Sequence, residues 1–162
     1  MATATNTATT CRSGKKWIAS GEGANTIAWS NDGLVWNGTK STVLSKVNKV
    51  AYGNDKWIAV GEGANNTIAF SLDSKNWSEI TGSTSIFSST GYSVAYNGSR
   101  WVAVGSGTNS IAYSDDGINW VAVTDSTNIF TSGRDILWND DKWIAVGNGN
   151  NAIAWSLDGS FW

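Results

Sequence analysis

The sequence predicts an all-β protein made of one small antiparallel sheet repeated four times, and three observations predict it. Tryptophan recurs in near-identical settings, "KWIAS", "KWIAV", "RWVAV" and "KWIAV", at Trp17, Trp57, Trp101 and Trp143, with spacings of 40, 44 and 42 residues. After each comes Gly-x-Gly, a short Asn-containing loop, Ile-Ala-aromatic-Ser-x-Asp and a second tryptophan, at Trp36, Trp77, Trp120 and Trp162. No stretch keeps helical spacing over a useful length.

The elements follow in order within each unit. "KVAYG" (49–53), "SVAYN" (93–97) and "DILWN" (135–139) are apolar runs of strand length that end in turn residues. Two or three turn residues lead into the "KWIAVG" strand, which reads as a hairpin. Gly-x-Gly-x-Asn breaks that strand and returns the chain through "TIAWS", "TIAFS", "SIAYS" or "AIAWS". A tight Asp-Gly type turn then opens a fourth strand at tryptophan. In the second strand Trp57 and Ala59 point one way, Ile58 and Val60 the other, so both faces are apolar. A sheet with one wet face alternates apolar with polar instead.

Two buried faces require each small sheet to lie between neighbours. About 42 residues and four antiparallel strands per unit match a propeller blade, and the expectation is a four-bladed β-propeller. The rivals are a β-solenoid or a sandwich. Small Ala51 and Ala95 on the first strand suit a crowded inner edge. The units run about 8–40, 41–82, 83–124 and 125–162 in a single domain, 1–162. In the first, "TTCRSGKKW" (9–17) lies over "KVAYGNDKW" (49–57), a degraded copy of the inner strand. The last unit stops at Trp162 without an outer strand. Threonine-rich residues 1–7 are expected to supply it, closing the ring; a monomer is then favoured, and an open edge would lead to self-association.

At Ser-x-Asp-Gly-x-x-Trp the sequence resembles the Asp-box, or bacterial neuraminidase, repeat of β-propellers. The match falls at Ser30, Asp32, Gly33, Trp36; at Ser114, Asp116, Gly117, Trp120; and at Ser156, Asp158, Gly159, Trp162. The second copy keeps Ser71, Asp73 and Trp77 but has Ser74 for glycine. The family pattern has one more residue between aspartate and glycine, so this is a shortened variant. The resemblance implies a structural box between third and fourth strands, away from a ligand face. An aspartate can accept backbone N–H bonds within such a turn, and glycine tolerates positive φ there. The alternative role for these aspartates is metal ligation.

Composition narrows function. The chain has 11 basic and 13 acidic residues, a formal charge of −2, and 15% charged residues, so it lacks the basic excess that binds nucleic acid. Its single cysteine, Cys11, makes an internal disulfide framework impossible. The opening "MATATNTATT" has neither the basic nor the apolar region of a signal peptide, and no apolar run approaches the ~20 residues that span a bilayer. A soluble protein is expected, with no compartment assigned.

Sialidases share the repeat, and their chemistry calls for three arginines around a carboxylate. Arg12, Arg100 and Arg134 occupy different repeat positions and are not expected to converge. Histidine is absent, which removes the usual acid–base group. The repeated Gly-x-Gly is followed by no helix that could cradle a phosphate. Cys11 reads as an inner-strand filler rather than a nucleophile. No catalytic residue, metal or cofactor is expected. A remote enzyme alternative pairs Glu22 and Glu62, in equivalent loops of adjacent units, as glycosidase carboxylates; two solvated loop carboxylates are the plainer reading.

A ligand, if bound, is expected on the end that carries the loops between second and third strands. That end presents Glu22 and Asn25; Glu62, Asn65 and Asn66; Asn109; and Asn150 and Asn151. The linkers "STVLS", "STSIFS" and "STNIFT" bring Leu44, Phe87 and Phe130 close. Amides beside apolar or aromatic surface suit a sugar's hydroxyls and C–H face, and repeated weak sites would act together. The expectation is a non-catalytic binding or assembly module with glycan or protein partners. Alternatively the asparagines serve backbone turns and the linker side chains plug gaps between units, leaving a scaffold without a small-molecule ligand.

Overall fold

The computed structural model describes residues 9–13, 16–39 and 43–162, with 9–13 as backbone. The first unit is a sheet of β1 (Thr9–Ser13), β2 (Lys16–Ser20), β3 (Ile27–Ser30) and β4 (Asn37–Gly38), paired in that order. The second repeats it with β5 (Lys46–Gly53), β6 (Lys56–Glu62), β7 (Ile68–Ser71) and β8 (Ser78–Glu79). In the third are β9 (Thr90–Tyr96), β10 (Trp101–Ser106), β11 (Ile111–Ser114) and β12 (Val121–Ala122), and in the fourth β13 (Ser132–Trp138), β14 (Trp143–Asn148) and β15 (Ile153–Ser156). All pairings are antiparallel, and one Ser106–Ser132 pair joins the last two units into a seven-stranded sheet.

The innermost strands start about three residues earlier than the apolar pattern predicts. A register shift explains this: between Val47 and Lys49, and again between Gly133 and Asp135, one residue bulges out before pairing resumes. The fourth strands shrink to two residues beginning just after the tryptophan, because the Ser-x-Asp turn consumes what lies before. Two single helical turns were not expected, α1 (Ser83–Ile86) and α2 (Ser126–Ile129) in the linkers. Each starts on a buried serine facing the neighbouring strand: Ser83 Oγ accepts the Thr67 N–H at 3.0 Å, and Ser126 Oγ accepts the Ser110 N–H at 3.1 Å.

The two-faced pattern of the second strands is realised as three apolar interfaces between consecutive units. Ile18 and Ile27 pack against Leu44, Val47, Val50, Trp57, Ala59 and Ala69. Ile58, Val60, Ile68 and Ile80 meet Phe87, Val94, Trp101, Ala103 and Ala112. Val102, Val104, Ile111 and Val123 meet Phe130, Ile136, Trp143 and Ala145. From the second unit on, each tryptophan–alanine face thus lies on the preceding unit, and up to the third each aliphatic face lies on the following one. Burying one such aliphatic or aromatic side chain is worth about 1.5–3 kcal/mol.

Among the described residues no apolar cluster joins the fourth unit to the first. Ring closure by residues 1–7 lies outside the described residues, as does the Arg12 side chain. Cys11 sits on β1 opposite Ile18, the inner-strand position expected for it.

Candidate functional site

The end that carries the Gly-x-Gly loops is built mostly to hold itself together. Asn66 is buried and its Nδ2 donates to Glu79 Oε2 at 2.7 Å. Asn109 donates to the carbonyls of Ser85 (3.2 Å) and Ile86 (2.9 Å) at the end of α1. Asn150 and Asn151 do the same for α2, donating to Asn128 O at 3.1 Å and Ile129 O at 3.4 Å. These amides satisfy carbonyls that a single helical turn leaves open. Asn25 lies over Gly38, where an added Cβ would come within 2.5 Å of its carboxamide carbon. Glu62 is ion-paired with Lys46 at 3.5 Å, and Glu22 bridges to the same lysine through its backbone. Glu22, Asn25 and Asn65 remain exposed.

Leu44, Phe87 and Phe130 correct the sequence expectation. All three are fully buried within the interfaces between units, so none offers a face to a sugar. The repeated glycine near the end of the second strand makes room for the two phenylalanines: a Cβ on Gly105 or Gly147 would lie 2.7 Å from Cδ1 of Phe87 or Phe130. They plug the space between sheets.

At the opposite end the four Ser-x-Asp turns share one geometry. Ser30 Oγ donates to Asp32 Oδ1 at 2.9 Å, which in turn accepts the N–H groups of Leu34 (2.8 Å) and Val35 (2.9 Å). The Gly33 N–H donates to Ser30 Oγ at 2.9 Å, and Trp36 Nε1 donates to the Gly33 carbonyl at 3.1 Å. Asp73, Asp116 and Asp158 repeat the arrangement. Hydrogen-bond donors hold these carboxylates ionised, so their pKa values fall below the usual range: chiefly the Val35 N–H for Asp32, the Asn76 N–H for Asp73, and the Ser160 hydroxyl followed by the Phe161 N–H for Asp158. At Asp116 burial opposes the ionised form, but the N–H groups of Asn119 and Ile118 outweigh it. The carboxylates point into their own turns. Among the described residues no three His, Cys, Asp or Glu side chains gather as metal ligands.

Neighbouring turns are clasped by cations. Lys16 Nζ of the first unit donates to the Asp73 carbonyl of the second at 2.8 Å. Arg100 of the third donates through Nη1 to the Asp158 carbonyl of the fourth at 2.9 Å, while its Nε pairs with Asp115 at 2.7 Å. Arg134 lies within β13 and its Nε donates to Asn148 Oδ1 at 3.0 Å. Arg100 and Arg134 therefore engage different partners at different ends, as their repeat positions predict.

The feature that residue-by-residue reading missed is on the last unit. Ile153, Trp155, Leu157 and Phe161 are exposed and line a concavity of about 700 Å³ along β15. Among the described residues β15 pairs with β14 alone.

No protein-family model and no curated protein matches the chain. Solved structures do. The computationally designed Ika4 protein matches over 91% of this chain and 88% of its own, with TM-score 0.60 and 12% identity. An ancestral GH74 enzyme matches over 91% and 22%, with TM-score 0.66 and 13% identity. YCF48 bound to D1 peptide matches over 91% and 49%, with TM-score 0.66 and 19% identity. The chain thus spans between a fifth and a half of the last two. At such identities the likeness concerns architecture alone, and it places the chain among β-propeller folds.

Proposed function

We propose that the four units are four propeller blades pinned by shortened Asp-box turns, and that the chain is a non-catalytic binding or assembly module. The observation that carries this reading is where side chains are spent. Asn66, Asn109 and Asn150 at one end and the Ser-x-Asp carboxylates at the other bond the protein's own backbone or neighbouring side chains, whereas large apolar surface stands exposed on the outermost blade. Amides already bonded within the protein, Asn66 to a carboxylate and Asn109, Asn150 and Asn151 to backbone carbonyls, must give up those bonds before they can serve a ligand. Exposed apolar surface gains free energy when covered by protein.

Glycan recognition is the second reading, resting on Glu22, Asn25 and Asn65, which stay exposed on the loop end. A glycan array decides between them. A blank array together with specific protein capture supports the assembly module. Glycan binding that disappears in Asn25→Ala and Asn65→Ala variants supports a lectin. The glycosidase alternative is tested by assaying glycoside cleavage with Glu22→Gln and Glu62→Gln as controls; activity abolished by either would restore it.

A further inference from the structure

We propose that the uncovered face of the last unit docks onto the tryptophan face of the first unit in a second copy of the chain, head to tail. This rests on the blade reading above and names its partner. Three formed interfaces supply the template, and among the described residues the first and last units carry the two halves that no fourth apolar cluster brings together.

On the last unit Ile144 and Val146 of β14 pair with Trp155 and Ile153 of β15 and share one face with them. In earlier units the matching positions are covered by the next unit: Ile27, Ile68 and Ile111 are at most 2% exposed, whereas Ile153 is 67% exposed. Trp155 is 59% exposed. The first unit shows the converse. Trp57, Trp101 and Trp143 are buried against a preceding unit, but Trp17 and Ala19 are only half-buried. The second tryptophan of each later unit packs into the interface with its predecessor, while Trp36 is exposed.

Three local contacts fix the register. An added Cβ on Gly117 or Gly159 would meet Ile58 Cδ1 at 3.2 Å or Val102 Cγ2 at 2.7 Å, both from the preceding unit. Around Gly33 the three nearest atoms, at 3.6–3.9 Å, all belong to its own unit's Trp17, and among the described residues no side chain of another unit comes as near as Ile58 and Val102 do in the later units. Lys75, beside the second unit's turn, lies 4.4 Å over the ring of Trp29 in the first. Its counterpart in the first unit is Leu34, 85% exposed, and the counterpart of Trp29 is Trp155. Finally, Lys16 and Arg100 clasp the turn of the next unit, but Lys142 pairs with adjacent Asp141 at 3.0 Å. In the docked pair Lys142 reaches the Asp32 carbonyl of the second copy, Ile144 seats over its Gly33, and its Leu34 covers Trp155.

Such a contact is heterologous, so it closes only if the rotation per unit allows a ring. Two copies bring about eight units, inside the usual four to eight blades. The test is mass in solution by light scattering on the 162-residue chain and on Trp155→Arg and Leu34→Arg variants. The expected result is roughly twice 17.2 kDa for the parent and 17.2 kDa for each variant. Mixing the variants should restore association, since each keeps the face the other lost. A parent mass of 17.2 kDa overturns the proposal, as closure within one chain would produce. So does association abolished by Trp155→Arg but not by Leu34→Arg, which indicates tail-to-tail contact. Wild-type melting of both variants shows that the fold survives. The blade reading is judged separately, by whether Trp101→Ala unfolds far more readily than the parent.

Discussion

Gly159→Ala and Gly33→Ala should have unequal effects on stability, although the two glycines hold the same place in the same turn. Gly33 has φ +79° and Gly159 φ +78°, so a side chain at either pays the same left-handed penalty, about 1–2 kcal/mol. The surroundings differ. At Gly159 the new Cβ meets Val102 Cγ2 at 2.7 Å and Trp143 Nε1 at 3.1 Å, and Val102 is held by its own strand with little rotamer freedom. At Gly33 the nearest atom is 3.6 Å away, an ordinary contact. Overpacking of this kind costs about 1–3 kcal/mol, which is therefore the expected difference between the two variants. For a chain of this length that is roughly 2–12 °C in melting temperature. Both should be measured by thermal and urea unfolding in a Trp155→Arg background, so that association adds nothing. Equal losses within about 0.5 kcal/mol would refute the claim that Gly159 is seated against a preceding unit while Gly33 is not.

Truncating the plug between the last two units, Phe130→Ala, should cost about 3–5 kcal/mol and be visible as a shifted urea midpoint. Asp116→Ala should cost about 1–2 kcal/mol at neutral pH through the lost N–H acceptor. Because the folded-state pKa values of Asp73, Asp116 and Asp158 are lowered, the stabilisation they give is complete above the ordinary carboxylate range and fades as pH falls through their lowered values. The gap between parent and Asp116→Ala melting temperatures should close on acidification, and a constant gap down to low pH would count against the turn as its source. Arg100→Met should remove the clasp on the fourth unit's turn at a cost below about 1 kcal/mol, smaller still in high salt. A salt-independent loss in that variant would point to packing over Tyr113 instead, which the guanidinium covers at 4.6 Å.

Strand order, the hairpin turns and the two-faced character of the sheets were legible in the sequence because they depend on local pattern. Trp57 and Ala59 alternate with Ile58 and Val60, and four copies repeat the alternation. The Ser-x-Asp-Gly turns were legible for the same reason, since their bonds join residues two or three positions apart. What a side chain meets across a gap was not. Phe87 and Phe130 read equally well as exposed platforms or as plugs, and only packing against Gly105 and Gly147 decided for plugs. The loop asparagines likewise found their partners in linker helices some 22–24 residues away, a distance at which no local rule applies. Tertiary structure also decided which copies of one motif are alike. Equivalent residues of the first and last units are uncovered where those between them are buried, because burial belongs to the neighbour as much as to the residue.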